Sequence, residues 1–210
     1  MVEISPARSD QYALNFAGDT LNTAWYLRQL ADDTLDVAYL SAIGADEISE
    51  QMRGFITDAG IYPELETISD RSVGLYLISL KNGERSFQYW RSVSAARKLA
   101  DNLSAVARLK TGDMAYFSGI TLAILSVDDR QKLLGALADA RKKGVTIVLD
   151  SNLRPKLWPS PEEMCYWVMK AAVLRISRYL PLMTKRNILV TIASRKPWNA
   201  IVRRVLTLWW

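Results

Sequence analysis

Strand and helix patterns alternate along the first 172 of the chain's 210 residues, and this alternation narrows the fold more than any other feature. Residues 19–30 carry Leu21, Ala24, Trp25 and Leu27 near helical spacing, with an acid at the start. Residues 36–43 are a short apolar run ended by Gly44, the pattern of a buried strand. Residues 46–59 place Ile48, Met52, Phe55, Ile56 and Ala59 on one face of a second helix, stopped by Gly60. Further on, residues 114–118 and 145–150 read as strands around a long helix, 127–143, that Gly144 closes. Ser160-Pro161-Glu162-Glu163 opens another helix with a capping hydroxyl, a first-turn proline and two early acids. Alternation of this kind predicts an α/β fold, a parallel sheet with crossover helices.

One section breaks the rhythm. Residues 74–80 and 85–91 are strand-like and flank Lys81-Asn82-Gly83-Glu84. Asn-Gly between two such runs signals a hairpin, because both central residues of its tight turn need positive φ. An antiparallel hairpin inserted in an α/β unit predicts a flap or lid off the main sheet.

The whole-chain charge of +5 suggests a nucleic-acid partner, but its distribution argues against one. Residues 173–210 hold eight Lys or Arg and no acid, leaving 19 basic against 22 acidic residues in the body. The chain has no histidine, which removes a Ser-His-Asp triad, a histidine–zinc site and a histidine base. Its one cysteine, Cys165, excludes an internal disulfide, predicts a reducing cytoplasm, and reads as a packing residue rather than a nucleophile. Trp25 and Trp167 read as core or interface aromatics. No apolar run reaches the ~20 residues that span a bilayer, and the first residues have no signal-peptide pattern. Neither nucleic acid nor membrane is expected as a partner.

Three polar clusters sit where strands end or helices begin. Gly18-Asp19-Thr20-Leu21-Asn22 is either a helix cap or a place where a ligand meets free N–H groups at close backbone approach. Tyr89-Trp90-Arg91 ends the second hairpin strand, with Tyr89 and Arg91 on one face. That pair is either an exposed edge or a grip for a sugar ring and a carboxylate. Asp150-Ser151-Asn152-Leu153-Arg154 follows a strand, the usual address for polar function in open α/β sheets, and its alternative is a capped turn with a surface arginine.

Taken in order and spacing, these clusters resemble the ribokinase-like (PfkB-type) carbohydrate kinases, and among them the kinases of 2-keto-3-deoxygluconate. The matching pieces are residues 18–23, Ala42-Ile43-Gly44-Ala45-Asp46, 74–76, 83–91, 117–125 and 150–158. The resemblance implies a ribokinase-like α/β fold with an incomplete parallel sheet, flanking helices and an antiparallel lid hairpin at about 74–91. It implies ATP, with Mg2+, phosphorylating a terminal hydroxyl of a six-carbon keto-deoxy sugar acid. It carries Gly18, Asp19, Asn22, Tyr89, Arg91 and Arg154 over as substrate contacts, and Asn152, Leu153 and Arg154 as the place where phosphate meets substrate. It also implies a homo-oligomer formed through lid hairpins.

The chain departs from that pattern at both ends. The family's first central strand is nearly missing, since Met1 falls where it would end. The Gly-Ala-Gly-Asp motif that carries the family's general base does not occur, so no catalytic residue is assigned. Residues 1–172 are therefore expected to form a partial kinase domain without turnover. The basic stretch 173–210, without glycine or acid, has the composition of out-of-frame translation. Its rival is a real basic tail that touches anionic lipid or nucleic acid, on a non-catalytic remnant or weak sugar-acid binder.

Overall fold

The structure is a computed structural model that describes residues 1–8, 11–81, 84–174 and 204–208, the last as backbone. In chain order, β1 (Val2–Pro6) and β2 (Tyr12–Phe16) precede α1 (Asp19–Leu30), β3 (Asp36–Ile43), α2 (Glu47–Asp58) and β4 (Tyr62–Thr67). The hairpin strands β5 (Leu75–Lys81) and β6 (Glu84–Trp90) follow, then a 3-10 helix over Ala95–Asp101 and the short α3 (Ser104–Ala107). The rest comprises β7 (Met114–Ser118), α4 (Gly119–Ile124), α5 (Val127–Lys142), β8 (Thr146–Asp150), a 3-10 turn at Pro155–Leu157, α6 (Pro161–Ala172) and β9 (Arg204–Leu208).

Two sheets result. The main sheet runs β4-β3-β9-β7-β8 with every neighbour parallel. β3 is buried at every residue after Asp36, which is why its sequence is apolar without alternation. The smaller sheet runs β2-β1-β5-β6. Lys81 pairs with Glu84 across the predicted turn, whose Asn82 and Gly83 lie outside the described residues. The predicted lid hairpin therefore stands within a larger unit. β1 pairs antiparallel with β2 and parallel with β5, so the N-terminal strands complete the lid.

The C-terminal stretch contributes where no strand was expected. Backbone of β9 lies between β3 and β7, with Asp36 opposite Arg204 and Met114 opposite Val205. Without it the main sheet would separate into two strand pairs.

The helices cover the main sheet. α5 buries Leu133, Leu134, Leu137 and Ala140, and α6 buries Met164, Trp167 and Ala171. Ser126, Ser160 and Asp46 cap their helices by accepting from Asp129, Glu163 and Ser49 N–H groups. Trp167 is in the core as expected, while Trp25 is half-buried. Cys165 is a correction: the face of α6 that packs is set by Met164, Trp167 and Ala171, and this turns Cys165 outward, where it is exposed.

Arg130, on α5, is nearly buried and joins three elements. Its guanidinium donates to Leu122 O (2.7 Å), Ala123 O (3.4 Å) and Glu163 Oε1 (2.5 Å), and stacks over Trp158 at 4.7 Å. Every face of the charge is thus met, the condition for tolerating it inside. Trp158 closes the 3-10 turn directly after Arg154, so the loop carrying Arg154 is anchored at its far end. Among the described residues no helix is long and apolar enough to cross a membrane.

Candidate functional site

The site lies at the carboxyl ends of β7 and β8, where α1 begins. Gly18 precedes α1 at φ 156°, ψ 161°, a conformation open in practice only to glycine, and its N–H donates to Asn22 Oδ1 at 3.2 Å. This bond turns Asn22 back onto its own helix start. Asn22 lines a separate hollow of about 370 Å³ with Glu3, Asn15, Trp25 and Phe55.

Asp19 and Asn152 meet across 133 residues of sequence, Asn152 Nδ2 donating to Asp19 Oδ1 at 2.7 Å. Asn152 has positive φ, 22°, and its backbone N–H donates to Asp150 Oδ1 at 3.0 Å, which closes a tight turn right after β8. Gly119 permits that turn. A Cβ there would stand 2.1 Å from Ser151 O, so the loop packs directly on the α4 start.

Burial pushes the Asp19 carboxyl up from its ordinary value, and Asp150 adds to the push. Ser118, Asn152 and Arg154 oppose it without cancelling it. Asp19 Oδ2 is buried near Ser118 Oγ, although the two are not aligned as a hydrogen bond. Tyr116, on β7, donates to Asp150 Oδ2 at 3.4 Å, and burial together with both aspartates pushes its hydroxyl up to about 12. The floor of the site is therefore acidic and half-buried.

The wall is basic. Arg91 follows β6 and lays its guanidinium over the Tyr89 ring, 4.0 Å from the centroid. The same ring stands 5.8 Å from Tyr76, whose hydroxyl donates to Glu3. Gly74 brings the chain against Arg91, since a Cβ on it would touch Arg91 Cβ at 3.3 Å. Burial first, and then the nearness of Arg154, holds Arg91 below the ordinary arginine value, while Tyr89 works the other way. Two guanidinium groups, one from the lid and one from the loop after β8, thus share a region with the Asp19–Asn152 pair.

Of the residues the sequence nominates, the structure brings together Asp19, Arg91, Asn152 and Arg154, with Gly18 at the helix start and Tyr89 beneath Arg91. Asn22 faces its own hollow, and Leu153 lies partly exposed beside Arg154. The nominations omit Tyr76, Tyr116 and Gly119. Tyr76 was findable: counting back from the Asn-Gly turn pairs it with Tyr89, as observed. Gly119 lies in the matching piece 117–125, yet nothing local says that a loop some 30 residues later would rest on it.

The description "pfkB family carbohydrate kinase" matches residues 2–190. The chain belongs to the pfkB family of carbohydrate kinases. That match runs past residue 172, where the sequence placed the end of family-like composition. Among curated relatives, the 2-dehydro-3-deoxygluconokinase of Haemophilus influenzae is 41% identical over 174 residues, 79% of this chain and 55% of that protein. Those of Dickeya dadantii and Escherichia coli K12 are 41% and 40% identical, each over 78% of this chain and 54% of the relative. The chain spans about half the length of the curated relatives it matches. Among solved pfkB-type folds, the apo fructokinase of Vibrio cholerae O395 superposes with a TM-score of 0.71 at 23% identity, over 83% of this chain and 58% of that one. Fructokinase from Xylella fastidiosa with bound ATP gives 0.68 at 18% identity, over 83% and 56%. These two show the fold, an α/β ribokinase-like unit with parallel strands and flanking helices.

Proposed function

We propose that the chain holds a 2-keto-3-deoxy sugar acid, 2-keto-3-deoxygluconate foremost, with its carboxylate between Arg91 and Arg154 and its carbon chain against Tyr89 and the Gly18 turn. One observation carries this reading. The two guanidinium groups come from separate elements and stand near enough for Arg154 to disfavour the charge on Arg91. Like charges brought near one another, Arg91 half-buried and Arg154 exposed, are unfavourable until an anion comes between them, and arginine's planar fork suits a carboxylate. The identity to 2-dehydro-3-deoxygluconokinases, about 40% over most of this chain, supports that substrate class.

The corresponding reaction is transfer of the γ-phosphoryl group of ATP to the terminal hydroxyl of the sugar acid. Such transfer asks for positioning and positive charge. Arg154 and the backbone of Asn152–Leu153, at the end of β8, fit the phosphate end of that nucleotide. Among the described residues no group of three His, Cys, Asp or Glu is placed to hold a metal ion, and Mg2+ in such a reaction would be held largely by the nucleotide's own phosphates. No Gly-Ala-Gly-Asp segment occurs in the 210 residues, and the reading assigns no base to the attacking hydroxyl. The polypeptide is therefore proposed to bind its sugar acid without turnover.

The lid supports a homo-oligomer. Leu80, Phe87 and Tyr89 are each about half-exposed on one face of the small sheet, an apolar patch at an open strand edge. Sedimentation velocity on the chain and on a Phe87→Ser variant tests this, with a single monomeric species for both counting against it.

Calorimetric titration with 2-keto-3-deoxygluconate tests the main reading. Arg91→Ala and Arg154→Ala should each weaken binding by about tenfold or more, since each removes a charge-assisted bond worth roughly 1.5–3 kcal/mol. Equal affinity for the sugar acid and its uncharged alcohol would overturn the reading. An ATP-coupled assay decides the catalytic part, sustained turnover showing that a base exists outside the assigned site.

A further inference from the structure

We propose that Asp19 is a positioning residue rather than a substrate contact: through Asn152 it ties the start of α1 to the loop after β8, and so aims Arg154 at the anion. This deepens the sugar-acid reading and rests on it. The amide of Asn152 is already engaged by Asp19, at 2.7 Å. It therefore serves the loop, where the family resemblance had made it a phosphate contact. The loop needs such a tie at its near end, because Asn152 has positive φ and the anchor at Trp158 lies beyond Arg154, while the turn itself is braced by Asp150 and by contact with Gly119. The tie is also placed to matter. It joins the Gly18 turn to the peptide two residues before Arg154, so losing it frees the floor of the site and the Arg154 loop together.

The tie has a chemical signature that a purely structural bond would lack. Asp19 is half-buried and faces Asp150 on β8, Tyr116 on β7, Tyr39 on β3 and Arg154 on the loop, of which only Arg154 favours its charge. A carboxylate bound at Arg154 neutralises that support and adds a negative charge nearby. The affinity of Asp19 for a proton then rises, Oδ2 is the oxygen left to take it, and Oδ1 keeps its bond from Asn152. Anion binding should draw in a proton. Affinity should fall as pH climbs from the Asp19 pKa of the free site towards the higher value of the occupied one.

The test uses the full chain and four measurements. Titration calorimetry with 2-keto-3-deoxygluconate in two buffers of different ionisation heat should show net proton uptake for the wild type and none for Asp19→Asn. Asp19→Ala and Asn152→Ala should each weaken binding by about tenfold, and the double variant by no more than either, since all three break one tie. Asp19→Asn keeps an acceptor for Asn152 and should recover most of the loss seen with Asp19→Ala. Amide hydrogen exchange of residues 151–154 without ligand should speed up in both alanine variants. Proton uptake that persists in Asp19→Asn, additive losses in the double variant, or unchanged exchange at 151–154 would each overturn the assignment. Should Asp19→Ala fail to fold, Asn152→Ala, at a half-buried loop position, gives the same reading. A wild type that binds no sugar acid sinks the functional reading, and the exchange measurement then decides the tie by itself.

Discussion

At the scale of single residues, space and charge around one loop decide most of what the site does. Gly119 shows the first. Its would-be Cβ falls 2.1 Å from Ser151 O, a backbone atom that cannot turn aside, so Gly119→Ala must push the 150–154 loop outward. The expected cost is about 1–3 kcal/mol, as for overpacking, with Arg154 displaced as well. A thermal melt should show Tm lowered by roughly 2–12 °C, and an unchanged Tm would mean that the loop gives way freely. Asp19 shows the second. Its folded pKa lies above the unfolded one because burial and Asp150 disfavour the charge. The folded state therefore binds more protons than the unfolded state between the two values. The stability Asp19 contributes is fully present below the ordinary value of 3.8 and is lost as pH rises through the raised folded value. Chemical denaturation across that acidic window should show this slope in the wild type and lose it in Asp19→Asn. A residue-level reading of the sequence identified Asp19 and Asn152 separately but not their bond, because no spacing rule links positions 133 residues apart.

Among the elements, legibility followed local pattern. α1, β3 and β7 have the bounds that periodicity sets, while α2 is one residue shorter at each end and α5 at its C-terminal end, because the capping residues fall outside the helix. The strands β1, β2 and β4 went unread: they are half-exposed and short, with Pro6 and Pro63 in or beside them, so neither alternation nor an apolar run marks them. β9 is the instructive omission. A basic composition drew attention to the tail as a whole, while five residues, Arg204-Val205-Leu206-Thr207-Leu208, carry enough apolar, β-branched character to pair in parallel on both sides. We propose that residues 173–210 arise out of frame; nucleotide sequence across codons 165–180 tests that, an intact frame being the contrary outcome. Whatever the origin of β9, its position has a mechanical consequence. Removing residues 204–210 would leave the inner edges of β3 and β7 unpaired, each at the centre of the sheet. The shortened chain should aggregate or melt without cooperativity, and a peptide of residues 204–208 added in excess should restore part of the transition. A deletion variant that melts as sharply as the full chain would show that β9 does not hold the sheet together.

Across the whole molecule the two sheets are unequal partners in the same site. The main sheet is deep: Val37 through Ile43 of β3 are buried, as are Ala115 and Phe117 of β7. The lid sheet is shallow, with every residue of β6 exposed. Local stability follows apolar burial, so the lid should open at lower free energy than the body. Native-state hydrogen exchange should then rank the β5 and β6 amides as less protected than those of β3 and β7. The ligand breaks this inequality in a specific direction. A sugar acid held between Arg91, at the end of the lid, and Arg154, on the body, binds well only while the two units face one another. It therefore stabilises the closed arrangement by its differential affinity for it. Protection should rise at Leu75–Lys81 and Glu84–Trp90 with 2-keto-3-deoxygluconate and stay nearly constant in β3. With Arg91→Ala the rise should vanish even at ligand concentrations that fill the site, because the lid then makes no charged contact with the anion. Equal protection of the two sheets in the free chain, or a ligand effect confined to the body, would place the binding energy entirely on the 150–154 loop and leave the lid a bystander.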